Sequence, residues 1–338
     1  MSKKSLSVVL VVMIILTLYS VKITKTSSLE LQLHLDNEFY NIGEYITVNG
    51  TLTLDGTPIT DGLVAIQVND SSGNLWLVRT RPTGTNATLK QWNLQILEIT
   101  PLPSSSLDRG DMFGLNITIR NNDAFDHETI LVISLFHENG IPLKAKVFAN
   151  ITIQANETLI YSASNILTIP DDTPNGNVEV YVCTLTDLPA NGGWAWGLEG
   201  KTVITVGSSS PEATVSLSQT SEGSYSLKFR TKSQYALLGN YTIFATANYV
   251  SLNPPYSGRA QNSTKFEVIL IGDITGPEGE PDGKVDIRDV TLVAYSFGSY
   301  PGDPRWNPIA DLYPDNKINI RDIAIVAYNY GKIGILPE

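Results

Sequence analysis

Val285-Asp286-Ile287-Arg288-Asp289-Val290 and Ile318-Asn319-Ile320-Arg321-Asp322-Ile323 are one phrase written twice, 33 residues apart. Each runs into an apolar stretch that repeats as well, Val293-Ala294-Tyr295 and Val326-Ala327-Tyr328. Ahead of each lie oxygen-bearing side chains at alternating positions, starting at Asp273 and at Asp311. Alternation of this kind suits a hard cation. Calcium takes about six to eight oxygens, and a twelve-residue loop supplies them from positions 1, 3, 5, 7, 9 and 12.

The second copy fits that count without gaps: Asp311 at position 1, Tyr313 at 3, Asp315 at 5, the Lys317 carbonyl at 7, Asn319 at 9 and Asp322 at 12. Tyr313 is a poor ligand where Asp or Asn is usual. Asn316 stands where a glycine normally makes the turn, and Asn tolerates the left-handed region best among the other residues. The first copy offers Asp282, the Lys284 carbonyl, Asp286 and Asp289 at positions 5, 7, 9 and 12, with Asp273 and Thr275 at 1 and 3. Gly276-Pro277-Glu278-Gly279-Glu280-Pro281 intervenes. Two readings are open: this run bulges outward, since closure cost grows slowly with length, or Glu278 or Glu280 swings in as a ligand. Two calcium ions are expected. After the loops, Val290, Val293, Ala294 and Phe297, and Ile323, Val326, Ala327 and Tyr330, recur at helical spacing, and Gly298 and Gly331 end the predicted helices. From Asp273 onward eleven acidic side chains face six basic ones, so without a cation the loops should repel themselves open.

Residues 272 to 332 resemble a type I dockerin module, the paired EF-hand-type calcium loop-helix of cellulosomal enzymes. The linker from Ser299 to Pro308 resembles the version in archaeal surface proteins. The resemblance implies docking onto a protein partner, a cohesin in the cellulosomal case. Where cellulosomal dockerins carry small hydroxyl residues at loop positions 10 and 11, this chain has Ile287-Arg288 and Ile320-Arg321. A cohesin-like and an intramolecular partner both stay open.

The 338-residue chain is 42% apolar, enough for two or three domains, and its net charge of -11 argues against nucleic acid as a partner. Lys3 and Lys4 precede the apolar run Val8 to Leu16, so residues 1 to 28 read as a hydrophobic signal helix for export, with an uncleaved signal anchor as the alternative. That segment is the one expected membrane contact, and the expected location is extracellular or at the cell surface. A single cysteine, Cys183, excludes intramolecular disulfides; it sits in the alternating run Val178 to Cys183 and reads as a buried strand thiol. Eight Asn-x-Ser/Thr sequons, at Asn49, Asn69, Asn86, Asn116, Asn150, Asn156, Asn240 and Asn262, fit an exported glycoprotein.

From residue 29 to 270 the chain is a succession of short alternating or apolar runs punctuated by Gly, Pro, Asn and Asp, the pattern of β-sandwiches. Tyr40-x-x-Gly43-Glu44 with Val48-Asn49-Gly50-Thr51-Leu52 resembles the opening strands of macroglobulin-type Ig-like domains. The closing pattern of such domains resembles Gly239 to Ala245 and Thr264 to Val268, far downstream. Between them, Asp108-Arg109-Gly110-Asp111, Leu115 to Asn122 and Gly176 to Val182 follow the order of cell-adhesion-related Ig-like domains. The expected architecture is therefore mostly β: an Ig-like sandwich of residues 29–92 plus 208–270, a second inserted at 93–207, and a small helical calcium module at 271–338. Three sandwiches in series are the alternative.

His34, His127 and His137 share no motif with a nucleophile, and no HExxH, GxSxG or phosphate loop occurs. No enzyme activity and no catalytic residue is expected. Trp194 and Trp196, in Asn191 to Gly197, would either stack on a sugar or plug the end of a sandwich. The functional expectation is a non-catalytic exported surface protein with Ig-like spacer and adhesion domains and a calcium-set docking module. The alternative is a polysaccharide-binding or cohesin-docked component of a carbohydrate-degrading extracellular complex.

Overall fold

The computed structural model describes residues 27–103, 105–207, 222–252 and 255–337. Residues up to 26, which carry most of the expected signal segment, and 208–221, the start of the expected second outer half, lie outside the described residues. The fold is mostly β. Its first strands are β1 (Leu29–Leu31), β2 (His34–Leu35), β3 (Phe39–Asn41), β4 (Tyr45–Leu54), β5 (Thr57–Pro58), β6 (Leu63–Asn69) and β7 (Leu75–Pro82), then the short helix α1 (Thr85–Leu89). Next come β8 (Leu94–Leu102), β9 (Ser106–Leu107), β10 (Met112–Asn121), β11 (His127–His137), β12 (Pro142–Ile153), β13 (Thr158–Thr168), β14 (Gly176–Leu185) and β15 (Gly200–Val206). The chain ends with β16 (Ser224–Arg230), β17 (Ala236–Leu237), β18 (Gly239–Leu252), β19 (Pro255–Ile269), helices α2 (Ile287–Ser296) and α3 (Ile320–Asn329), and β20 (Gly334–Ile335).

Strands from the two ends of this order share sheets. β4 pairs with β1, β2, β5 and β16, and a second sheet runs β3-β19-β18-β6-β7. Between these sheets lies one core, to which β4 gives Ile46, Val48 and Leu52, β16 gives Tyr225, Leu227 and Phe229, and β18 and β19 give Tyr241, Ile243, Phe266 and Val268. Tyr241 stacks on Phe266 at 5.1 Å between ring centroids. β4 alternates buried and less buried residues, as a strand with one core face must. Its Gly50 is required: a Cβ there would lie 2.1 Å from the Gln32 carbonyl oxygen. The strands between residues 94 and 206 form their own pair of sheets, β13-β10-β8 and β12-β11-β14-β15-β9, around Phe113, Leu115, Ile117, Leu131, Ile133, Val180 and Val182.

β6, β11 and β14 are buried almost continuously rather than alternately. The cause is a second contact. Ala65 and Val78 of the outer sheet pack against Val132, Cys183 and Leu185 of the inserted one, so both faces of these strands leave water. At this joint Ser134 Oγ accepts from the Val78 N–H and donates to the Val78 carbonyl, both at 2.9 Å. Glu199, just ahead of β15, binds Arg79 at 2.6 Å and Arg81 at 2.7 Å and accepts from the Thr80 N–H at 2.8 Å. The Arg79 guanidinium also lies 3.2 Å from the centre of the Tyr181 ring. Burial alone would raise the Glu199 carboxyl, but the two guanidiniums prevail and hold it at about 2.

The C-terminal helices join the outer core through Ile274, Val285, Val293, Ala310, Ile318 and Val326. Their buried stripe differs from the predicted one. Asp289, Val293 and Ser296 are buried on α2, and Asp322, Val326 and Asn329 on α3. Ala294, Phe297, Ala327 and Tyr330 are exposed. The reason lies at the N-termini, where Asp286 and Asn319 cap reciprocally with Asp289 and Asp322; that capping box turns the third helical residue inward and rotates the apolar face with it. Among the described residues no helix is long and apolar enough to cross a membrane.

Replacing Glu199 by Gln leaves two buried guanidiniums without their counter-ion and is expected to lower unfolding stability by about 3–5 kcal/mol in denaturant titration. In the wild type, Glu199 is ionised in the folded state down to about pH 2, whereas the unfolded chain protonates it near 4.5. Its contribution is whole above 4.5 and is lost as pH falls toward 2. A Glu199→Gln stability deficit that stays constant across that window refutes the assignment.

Candidate metal centre

The two acidic loops close by corresponding hydrogen bonds to their first aspartates despite their different lengths. In the first, Asp273 accepts from the N–H groups of Asp282 (3.2 Å) and Gly283 (2.8 Å). In the second, Asp311 accepts from Asp315 (3.4 Å) and Asn316 (3.0 Å), the residues at the matching positions. Asp289 accepts from Ile274, Thr275 and Asp286 at 2.8, 3.0 and 2.7 Å. Asp322 accepts from Tyr313 at 2.9 Å and Asn319 at 2.8 Å. Asp282 and Asp315 each accept from the N–H two residues on, Lys284 and Lys317.

Of the two readings of the first loop, the backbone takes the bulge. Gly279 N–H donates to the Gly276 carbonyl at 3.1 Å, closing a small turn, and Glu278 and Glu280 remain exposed. Gly283 and Asn316 both adopt the left-handed conformation, with φ of 82° and 60°, as the sharp turn at position 6 demands.

Acceptors converge in both loops. The Asn319 side-chain NH2 reaches the Asp315 carboxylate at 3.2 Å and the Lys317 carbonyl at 3.2 Å, so oxygens assigned to positions 5 and 7 surround one donor. Arg288 Nη1 stands 3.0 Å from Asp286 and 3.5 Å from Asp282, and Arg321 Nη1 stands 3.5 Å from Asp315. The arginine at loop position 11 thus meets the carboxylates at positions 5 and 9 in the first loop and the one at position 5 in the second. Tyr313 is half-exposed, and the Arg321 guanidinium lies 4.7 Å from its ring centre. Burial raises the Asp273 carboxyl to about 6, aided by Asp289 and Asp282 and opposed by its two N–H donors. As placed, no group of three or more His, Cys, Asp or Glu side chains among the described residues is gathered to hold a metal. The donors available are carboxylates, carbonyls and an amide, all oxygen, which is the chemistry of a hard cation.

Other candidates resolve as structure. The Trp194 ring is covered by the Arg259 guanidinium at 3.6 Å, and Trp196 packs on His127 at 4.2 Å while its indole N–H donates to the Glu128 carbonyl. Their loop is tied to the outer sheet by Ala190 N–H to Gln67 and Thr246 Oγ1 to the Gly193 carbonyl, and both rings are half-buried, Trp196 against the inserted core. Cys183 is fully buried, and burial, with Glu199 adding, pushes its thiol well above the ordinary range, the opposite of an activated nucleophile. His137 Nε2 lies 3.2 Å from the Asn175 carbonyl and His127 Nε2 3.1 Å from Asp123. A polar recess of about 190 Å³ between Gln91, Trp92, Asn93, Asn122 and Asp123 is closed on itself by Asn93 to Asp123 and Asn122 to the Trp92 carbonyl.

No family model matches the chain, and no curated protein does. Among solved structures, it is similar to a Pseudomonas fluorescens alkylpurine DNA glycosylase bound to DNA with an abasic site analogue, at 13% identity and a TM-score of 0.28, covering 36% of this chain and 34% of that one. A Listeria innocua β-glucosidase matches at 15% identity and 0.23, covering 35% and 16%. An Escherichia coli α-2-macroglobulin matches at 12% and 0.19, covering 72% and 23%. The chain thus spans about a third or less of the length of each. Likeness at this level assigns neither a family nor an activity.

Because the first loop closes at Asp273 and Gly283 whatever lies between, deleting residues 277–281 to match the second loop is expected to shift stability by less than about 1 kcal/mol. Thermal melting of the deletion variant reads this. A collapse of the C-terminal transition would show that the bulge is part of the fold's support.

Proposed function

We propose that this chain is a non-catalytic exported surface protein: two Ig-like sandwiches, one of them inserted into a loop of the other, carry a C-terminal dockerin-like module that binds two calcium ions and docks onto protein. The observation that carries the calcium reading is that Asp273 and Asp311 each accept from the N–H groups at loop positions 5 and 6, a correspondence kept across the five-residue difference in length. Asp273, Asp282, the Lys284 carbonyl, Asp286 and Asp289, with Thr275, would hold one ion. Asp311, Asp315, the Lys317 carbonyl, Asn319 and Asp322, with Tyr313, would hold the other. The ion's contribution is charge: it neutralises carboxylates that otherwise repel one another, such as the pair that raises Asp273.

Two features support docking. One side of the module is seated on the outer sandwich, where Asn41 Nδ2 donates to Asn329 Oδ1 at 2.9 Å in a buried contact; this favours an intramolecular partner for that side. On loop positions 10 and 11, Ile287 and Ile320 are 62% and 67% exposed, and Arg288 and Arg321 stand with them. That surface is free for a second, protein partner. Export is supported by the sequons, whose Asn side chains are all exposed or half-buried.

Calorimetric titration is expected to find two calcium sites with dissociation constants of roughly 10⁻⁴ to 10⁻³ M. Asp289→Ala should remove one and Asp322→Ala the other, and chelator should lower the melting of the C-terminal transition. Absence of any calcium heat at millimolar concentration would falsify the metal reading.

A further inference from the structure

The duplicated loops are held differently by their surroundings. In the second loop, Ile318 exchanges backbone bonds with the end of α2: Gly298 N–H donates to the Ile318 carbonyl at 2.8 Å and Ile318 N–H to the Ser299 carbonyl at 3.1 Å. From Ser299 the chain runs on into the linker. The first loop makes the equivalent exchange with the end of α3, Gly331 N–H to the Val285 carbonyl at 2.9 Å and Val285 N–H to the Lys332 carbonyl at 3.1 Å, and Gly334 N–H adds a bond to the Gly283 carbonyl at 2.9 Å. Here the chain does not leave. It continues as β20, parallel to β17 of the outer sandwich.

Residues 331–335 therefore have a partner on each edge. Toward the sandwich, Tyr235 N–H donates to the Ile333 carbonyl and Leu238 N–H to the Ile335 carbonyl, both at 2.7 Å. Gln234 closes the corner, its Oε1 accepting from Ile333 N–H at 2.9 Å and its Nε2 donating to the Gly331 carbonyl at 3.4 Å. Toward the loop, the segment is bound by Gly283 and Val285, and Gly283 is itself positioned by the Asp273 carboxylate. The fit is tight on both sides: a Cβ on Gly334 would lie 2.7 Å from Leu238, and one on Gly283 2.9 Å from the Gly334 carbonyl oxygen.

We propose that residues 331–335 are a latch that transmits closure of the first loop, and not of the second, to the seating of the C-terminal module on the outer sandwich. The line of force runs from the Asp273 carboxylate through Gly283 to Gly334 and on to β17. An open first loop releases the inner edge of the segment, and a two-residue strand pairing alone is too short to hold it. Among the described residues no hydrogen bond joins the second loop to residues 331–335: its backbone partners, Gly298 and Ser299, lead into the linker, and it reaches the segment only through the length of α3. The latch is a property of these bonds; it rests on the proposed function only for calcium as the ligand that closes the loop.

Hydrogen exchange of the full chain, read by mass spectrometry on the peptide spanning Gln234 to Leu238, tests this. Asp273→Ala is expected to speed exchange there by about tenfold or more, while Asp311→Ala leaves it as in the wild type. Gly334→Ala, which crowds Leu238 without touching the acidic groups, should reproduce the Asp273→Ala effect. Slow exchange in peptides of β11 and β14 verifies that each variant is folded; should Asp273→Ala fail that control, Gly334→Ala with Asp311→Ala decides. Equal exchange in the Asp273 and Asp311 variants, or no change in Gly334→Ala, overturns the latch. Chelator acting like Asp273→Ala supports calcium as the closing ligand. An Asp273-dependent latch in a chain that takes up no calcium keeps the latch and removes the metal.

Discussion

The outer core can close only across the inserted segment. β4 meets β16, and β6 meets β18, after the whole stretch from 94 to 206 has been looped out between them. Looping out a segment of that length as an unstructured coil would cost entropy with no return, though the cost rises only slowly with length. The inserted strands offset it by folding onto a core of their own and by packing that unit against β7. Glu199 is the polar centre of the packing. It supplies the counter-charge for two buried guanidiniums and an acceptor for a backbone N–H, so the joint tolerates one arrangement of the two units and few others.

The same dependence extends to the C-terminus. Asn41, at the end of β3, accepts from the Ile271 N–H and donates to Asn329, and so holds both the entry to the first loop and the exit of α3. With β20 on β17, the helical module is attached at its beginning and at its end, and its apolar residues complete a core begun by the sheets. A module fixed in this way presents its remaining surface, Ile287, Ile320, Tyr295 and Tyr328 among it, in one orientation relative to the sandwich.

Much of this was readable from particular residues. The alternating run Val178 to Cys183 located a strand that the structure extends to Gly176–Leu185, and the short runs from residue 29 to 270 did become strands. The repeated loop-helix of Asp273 and Asp311 was legible as a pattern because side-chain spacing and helix capping are local. The helix faces were misread at Ala294, Phe297, Ala327 and Tyr330, because hydrophobicity suggested one stripe and the capping carboxylates selected another. Arg79, Arg81 and Glu199 carried no sequence signal: two arginines on a strand and a glutamate just ahead of another look like solvated residues until another unit covers them. The tryptophans of residues 194 and 196 were ambiguous for the converse reason, since an exposed platform and a buried plug use the same rings.

By itself the sequence determined the β-rich character of residues 29 to 270, the duplicated acidic loops with their helices, and the exclusion of intramolecular disulfides, since each follows from local periodicity, spacing or a residue count. Strands on either side of 94–206 share sheets, which the sequence offered beside three sandwiches in series; tertiary structure alone decided that Glu199 lies buried between two arginines and that the last residues return to β17. Those features depend on which distant surfaces exclude water together, and burial of that kind is set by the whole chain and by no single stretch of it.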